Sequence, residues 1–403
     1  MISRCESQGA RTVLVESRCA WPSIWPSGFH VGRNYFPVVF VEDRLSGVTW
    51  GAQLAHPASW QIDVSRRDGA LSLSGGLADR EFGHWTKRLE PGATFVTPTA
   101  YLTVVCGDID EAAHRLTAVQ ARALVSTPPS EQDLPVIFNE YCTSWGSPSS
   151  RSLYAIAERL KDKDIRYLVI DAGWYNRDGA LWYNSMGDWE VNRKLFPDGL
   201  DEALTHIRSC GMIPGIWFEM EVCGEKATAF DMGDHFLKRD GIPITVAKRR
   251  FWDFRDPFVV AYLQEKVIDF LVSHGIGYLK LDYNDSLGIG CDGAESLGEG
   301  LRQQMVAVQR FIRRIQEAVP NIVMENCASG GAPLRTVDAC PNQYVLVFGC
   351  PRMCRDPDHC GQLASGHAST PKSNLGRAAE SGHPPALGVF PCQHHARTYV
   401  SVR

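Results

Sequence analysis

Four carboxylates, Asp171, Glu219, Glu221 and Asp282, follow short apolar runs in RYLVIDAGW, GIWFEMEV and YLKLDYN, with Trp174 and Trp217 nearby. Carboxylates accept from hydroxyls and an indole face packs on the apolar face of a pyranose ring, so acids and tryptophans converging from separate segments suit a sugar. Hydrolysis of a glycosidic bond needs two carboxyl groups across it, ~5–5.5 Å apart where configuration is retained, one as nucleophile and one as acid/base. Asp282 is the expected nucleophile. Lys280, two residues earlier, shares its face by strand period, and a cation there is expected to keep the carboxylate ionised. Any one of these acids could simply cap the helix that follows. That explanation is strained by five apolar segments ending alike: Asn139 and Trp145, Asp171 and Trp174, Glu219 and Glu221, Asp282 and Asn284, Glu325 and Asn326.

Such a site needs strands that deliver their ends to one place. From residue 136 the chain alternates apolar runs with segments of helical period: VIFNEYCTSW, SLYAIAERLKDK, RYLVIDAGW, FPDGLDEALTHIRSCG, MIPGIWFEMEV, DPFVVAYLQEKVIDFLVSHG, GYLKLDYN, LRQQMVAVQRFIRRIQEAV and NIVMENCASGG. Continuous apolar strands belong to a parallel sheet covered on both faces. No glycine-rich phosphate loop follows the first strand, and polar groups end several strands, so a TIM-type α/β barrel is expected rather than a doubly wound sheet. Before it, PVVFVED, VTWGAQL, WQIDVSRRDGALSLSGGL and TFVTPTAYLTVV alternate with period two between turns, which predicts a partial antiparallel β-sandwich followed by a connecting helix in GDIDEAAHRLTAVQARALV. The proline-rich TPPSEQDLP marks the boundary. The expected domains are 1–130, a barrel portion with strands one to five at 131–331, and an irregular tail at 332–403.

Composition narrows the partners. With 44% hydrophobic and 22% charged residues the 403-residue chain is globular, and a net charge of −5 gives no footprint for nucleic acid or anionic membrane. Met1–Ala20 has no apolar core of signal-peptide length and no run suits a membrane span, so a cytoplasmic protein is expected. Thirteen cysteines are an odd number, and Cys106, Cys142, Cys210 and Cys223 lie in or beside apolar runs, where reduced, buried thiols are expected. Cys340, Cys350, Cys354, Cys360 and Cys392 crowd the tail, but the Cys350–Cys354 spacing has no second pair to close a tetrahedron. No metal or cofactor is expected.

IDAGWY, MGDWEVNRKLFPDGL, GIWFEMEV, YLKLDYN and ENCASGG, in this order and spacing, resemble the bacterial α-galactosidases of the melibiase group, glycoside hydrolase family 36, over about 136–331. The resemblance implies retaining hydrolysis of terminal α-linked galactose from oligosaccharides, with Asp282 in the Lys-x-Asp position of the nucleophile. It also implies that Asp171 and Trp174 bind the sugar, joined by Trp217, Glu219, Lys280, Asn284 and the pocket turn of Cys327, Gly330 and Gly331. The expected partner is an α-galactoside, and a homo-oligomer is compatible with the group. Two departures bear on the sugar: the group has two adjacent Asp where Asp171 is followed by Ala172, and Asn-Arg where this chain has Asn284 and Asp285.

The group's acid/base is an Asp in a Ser-Asp motif soon after the Cys-x-x-Gly-Gly turn. No Ser-Asp follows Gly331 here. Codons for the residues from Ala332, read one nucleotide forward, can give HRLEPSML, and across Val347 to Gly361 they can give SSDAHECAEIPIIA. Some steps are forced: Asp356 to Pro357, Asp358 to His359 and His359 to Cys360 allow only Ile or Thr. Residues after about Gly331 are therefore expected to be out of frame, with the acid/base overlapping the codons of Gly349 and Cys350. Hydrolysis of α-galactosides is thus expected by ancestry, with the acid/base missing from the chain as it stands; the alternatives are a non-catalytic galactose-binding remnant that keeps Asp171, Trp174 and Trp217, and a related α-N-acetylgalactosaminidase, which differs only in pocket shape.

Overall fold

The computed structural model describes residues 2–7, 10–15, 37–56, 58–67, 70–123, 128–131, 133–327 and 344–346. An antiparallel sheet comes first, in the order β1 (Ile2–Ser7), β2 (Ala10–Val15), β3 (Val38–Asp43), β4 (Val48–Ala55), β7 (Thr99–Cys106). A separate hairpin pairs β5 (Trp60–Arg67) with β6 (Ala70–Leu77). Val39, Val41 and Val105 are buried, as are Ala112 and Leu116 of the helix Ile109–Ala123, which packs on β4 and β7. The opposite face is open: Leu102 is 77% and Val104 53% exposed. Cys106 ends the same alternation and is exposed, as is Cys142; of the four thiols expected to be buried, Cys210 and Cys223 are, and all four are free.

The second layer is a six-stranded parallel sheet in which each strand lies beside the next: β8 (Val136–Asn139), β9 (Ile165–Ile170), β10 (Ile213–Phe218), β16 (Tyr278–Leu281), β17 (Val323–Asn326) and β18 (Tyr344–Leu346). Between β10 and β16 an excursion carries two small antiparallel units. They are β11 (Val222–Gly224) with β14 (Thr245–Val246) and β15 (Arg249–Phe251), and β12 (Lys238–Arg239) with β13 (Ile242–Pro243). The five apolar runs expected as parallel strands are strands β8, β9, β10, β16 and β17 of this sheet. β18 falls in the segment expected to be irregular; its backbone pairs with Met324–Asn326, and the rest of 328–403 lies outside the described residues.

Strand period sorts the side chains into two populations. Leu168, Ile170, Ile216, Leu279 and Met324 join the large cluster shared with the helices, whereas Ile137, Tyr167, Val169, Tyr278 and Val323 form a separate cluster inside the curve of the sheet. A residue two positions beyond each inner residue continues along the inner face. The inner columns therefore run Tyr167, Val169, Asp171 on β9, Tyr278, Lys280, Asp282 on β16, and Val323, Glu325, Cys327 on β17. Gly215 takes the inner place on β10, where a Cβ would stand 2.9 Å from Val169 and 3.0 Å from Tyr278.

The helices are set by their ends. Ser149 and Ser152 form a reciprocal capping box on Ser150–Leu160, Asp256 caps Pro257–Leu263 with proline at its first turn, and Ser296 caps Leu297–Ala318. The antiparallel region is tied to the last of these: Trp85 Nε1 donates to Glu299 at 2.9 Å, and Lys87 Nζ reaches Glu295 and Glu299 at 3.0 and 3.1 Å.

Candidate active site

The inner columns end in two tiers of polar groups. Trp217, Lys280 and Glu325 are direct register partners across β10, β16 and β17, and Asp171 follows Ile170, the register partner of Ile216. Lys280 Nζ donates to Asp171 Oδ2 at 2.8 Å, and Asn139 Nδ2 to the same oxygen at 2.6 Å. The expected neighbour of Lys280 was Asp282; its hydrogen-bonded partner is Asp171. Strand period puts Lys280 and Asp282 on one face but a tier apart, whereas Asp171 reaches the lysine from across the curved sheet. Burial works against the ammonium, yet the Asp171 charge beside it holds Lys280 well above the usual lysine range.

The upper tier holds Asp282. Its Oδ2 accepts from Trp217 Nε1 at 3.1 Å and Asn284 Nδ2 at 2.9 Å, and its Oδ1 from the Tyr283 backbone N–H at 2.9 Å. Donors on both oxygens orient the carboxylate and leave fewer lone pairs for competing contacts. Asn284 couples Asp282 to Glu219, donating from its backbone N–H to Oε1 at 2.7 Å and from Nδ2 to Oε2 at 3.0 Å.

Glu219 is fully buried, and burial pushes its carboxyl up to about 7 against the opposing Arg249 charge, with Asp282 adding to the rise. Glu325 is also pushed to about 7 by burial, opposed by Lys280 and by the Tyr278 hydroxyl, which donates to it at 2.8 Å. Glu140, whose Oε1 accepts from the Asp171 backbone N–H at 3.0 Å, is raised to about 7 by burial as well. Burial thus works against the charged form of all three carboxyls, and the nearby lysine and arginine work for it.

Arg249 was not found from sequence. It lies on β15, with Nη1 3.4 Å from Glu219 and 2.8 Å from Asp285, and donates from Nε to the Tyr183 carbonyl at 2.8 Å. The departure noted at Asp285 therefore supplies a partner for this buried arginine. The only sequence signal was a basic pair, Arg249 and Arg250, set against Phe251 and Trp252.

Trp174, which the resemblance makes a sugar contact, sits among other aromatic rings. It is fully buried, its Nε1 donates to the Trp217 carbonyl at 3.0 Å, and its ring stacks on Trp189 at 6.0 Å and meets Phe270 at 5.0 Å. Gly173 turns the chain there at φ +107°, and any Cβ would collide with the Gly146 carbonyl at 2.0 Å. That turn carries Trp174 into the core. Trp217 is equally buried, but its N–H meets Asp282 while its ring stacks on Tyr175 at 5.9 Å. Cys327 is buried beside β16, with its N–H donating to the Leu281 carbonyl at 2.7 Å. Gly330 and Gly331 lie outside the described residues. A cavity of about 470 Å³ between Trp189, Leu200, Phe270 and His274 shares no residue with these tiers.

Residues 94–340 match the family model described as Melibiase. The chain belongs to the melibiase family. Among its relatives, alpha-galactosidase Mel36A of Lactobacillus acidophilus is 23% identical, covering 72% of this chain and 40% of that protein. The probable alpha-galactosidase C of Aspergillus terreus is 25% identical, with 71% and 39% covered. This melibiase chain thus spans about 40% of the length of those relatives. The fold agrees with the GH36 alpha-galactosidase AgaA of Geobacillus stearothermophilus, at TM-score 0.68 and 20% identity, covering 79% of this chain and 44% of AgaA. A variant of AgaA solved with raffinose matches at TM-score 0.69 and 21% identity, covering the same shares of the two chains. Among the described residues of this family member, no helix is long and apolar enough to cross a membrane.

Proposed function

We propose that this chain carries the galactose site and nucleophile of a retaining α-galactosidase. The observation that supports this best is the Asp282 carboxylate, held by Trp217, Asn284 and the Tyr283 N–H at the end of an inner column, above the Lys280–Asp171 pair. Lys280, Asp171 and Glu219 would meet the sugar hydroxyls, and the Cys327 turn with Gly330 and Gly331 would line the pocket. Two variants of AgaA were solved with raffinose and with stachyose, which favours galactose-capped oligosaccharides as substrates. The parallel half-barrel and the antiparallel sheet are read as parts of a TIM barrel and a β-sandwich.

Asp282 attacks the anomeric carbon, the bond to the leaving oxygen breaks with its electron pair, and a galactosyl ester forms. Water then cleaves the ester with retention. Protonation of a sugar leaving group calls for the acid/base, expected to lie out of frame. An aryl α-galactoside whose phenolate leaves unassisted does not need it. The expected result is a burst of about one phenolate per chain, absent in Asp282→Asn. No burst from a protein that still binds galactose would favour a non-catalytic remnant, and a burst only with the N-acetylgalactosaminide would move the specificity.

A further inference from the structure

We propose that Glu158, His206 and Cys210 form a zinc site on the solvent side of the helix pair Ser150–Leu160 and Leu200–Ser209, with water completing the shell. Among the described residues they are the one group of three His, Cys, Asp or Glu side chains whose ligand atoms all lie within 4.8 Å of one another. His206 Nε2 is 3.4 Å from Glu158 Oε1, Cys210 Sγ is 3.7 Å from the same oxygen, and Sγ and Nε2 are 3.8 Å apart. Tetrahedral zinc with its usual bonds to S, N and O would need edges of ~3.3–3.6 Å between those atoms. The apo arrangement is therefore about one face of the tetrahedron already, slightly expanded.

Three features hold it open for a cation. His206 and Cys210 stand four residues apart at the end of one helix, so they project side by side. Glu158 is clamped from behind by Lys161, whose Nζ meets Oε2 at 2.8 Å and leaves Oε1 turned toward the sulfur and imidazole. The Tyr154 ring packs on His206 at 4.6 Å, which limits rotation of the imidazole. Cys210 is a free thiol, and the Glu158 side chain is 50% exposed, so there is a route in and room for water. A sulfur, a nitrogen and one carboxylate select zinc-like ions over magnesium or calcium. Binding would convert the thiol to a thiolate, release its proton, and staple two neighbouring outer helices.

The tail cysteines could also take up zinc, so the test must be site-resolved. The full chain, freed of metal, is alkylated with N-ethylmaleimide with and without zinc, and labelling at Cys210 is followed by peptide mass spectrometry, with exposed Cys142 as internal control. Zinc is expected to slow labelling of Cys210 at least tenfold and leave Cys142 unchanged. His206→Ala and Glu158→Gln should each abolish the protection, the second without altering shape. Cobalt should give a thiolate charge-transfer band that disappears in Cys210→Ser and persists in Cys354→Ser. Equal labelling of Cys210 with and without zinc, or protection that survives both His206→Ala and Glu158→Gln, would overturn the proposal.

Discussion

At the scale of residues, sequence separates what a strand end can offer from what it actually faces. Asp282, Asp171 and Lys280 were legible because the period of a parallel strand fixes which side chains share the inner face. Their pairing was not, since Lys280 meets Asp171 across the curved sheet rather than Asp282 along its own strand. Arg249 reaches Glu219 from an excursion thirty residues on, a distance no local pattern encodes. Trp174 sits after a glycine turn whose direction the sequence does not specify, and the structure buries it. Trp174→Ala is therefore expected to lower the unfolding free energy by ~3–5 kcal/mol, as for other buried large-to-small changes. Trp174→Phe should melt lower yet bind galactose as the parent does. Calorimetry beside galactose titration checks this: an unchanged melting temperature with lost binding would make Trp174 a sugar contact, as the resemblance implies.

At the scale of elements, the parallel strands were readable because burial on both faces leaves a continuous apolar run, as in IRYLVI, where the last four residues are buried. The antiparallel region was readable as strands but less so in its packing, because period two reveals one face and not what covers the other. Part of its anchorage to the parallel-sheet region is Glu299, a long-range contact invisible in sequence. Burial raises this carboxyl, but Arg302, Trp85, Gln303 and Lys87 donate to it and hold it at about 2. A folded-state value below the unfolded one gives stability that is present above ~4.5 and is lost as pH falls toward ~2. At ~1.4 kcal/mol per unit, Glu299 contributes roughly 3 kcal/mol at neutral pH. Glu299→Gln should remove about that much at pH 7 in denaturant titrations, and the gap between variant and parent should narrow between pH 4.5 and 2. A gap that is constant with pH would assign the loss to packing alone.

At the scale of the molecule, the edge strands of the sheet among the described residues are β8 and β18, and the chain spans about 40% of the length of its relatives. An unpaired strand edge invites pairing with other chains. If the text after Gly331 is out of frame, removing one nucleotide after that codon should restore the Ser-Asp motif, improve solubility and give turnover of raffinose, whereas the chain as it stands should leave raffinose intact and give a burst only with an aryl α-galactoside. A frame-corrected protein no more soluble or active than the parent would contradict that reading, as would a native protein whose mass matches the present tail.

Asp282 is the residue proposed to form the galactosyl ester. A galactosyl fluoride carrying a second fluorine on its ring needs no acid to depart and slows hydrolysis of the ester it leaves behind, so it can trap the nucleophile. After incubation and proteolysis, mass spectrometry should find one fluorogalactosyl adduct on the peptide that contains YLKLDYN, at Asp282, and none in Asp282→Asn. An adduct on Asp171 or Glu219, or none from a protein that still binds galactose, would contradict the assignment.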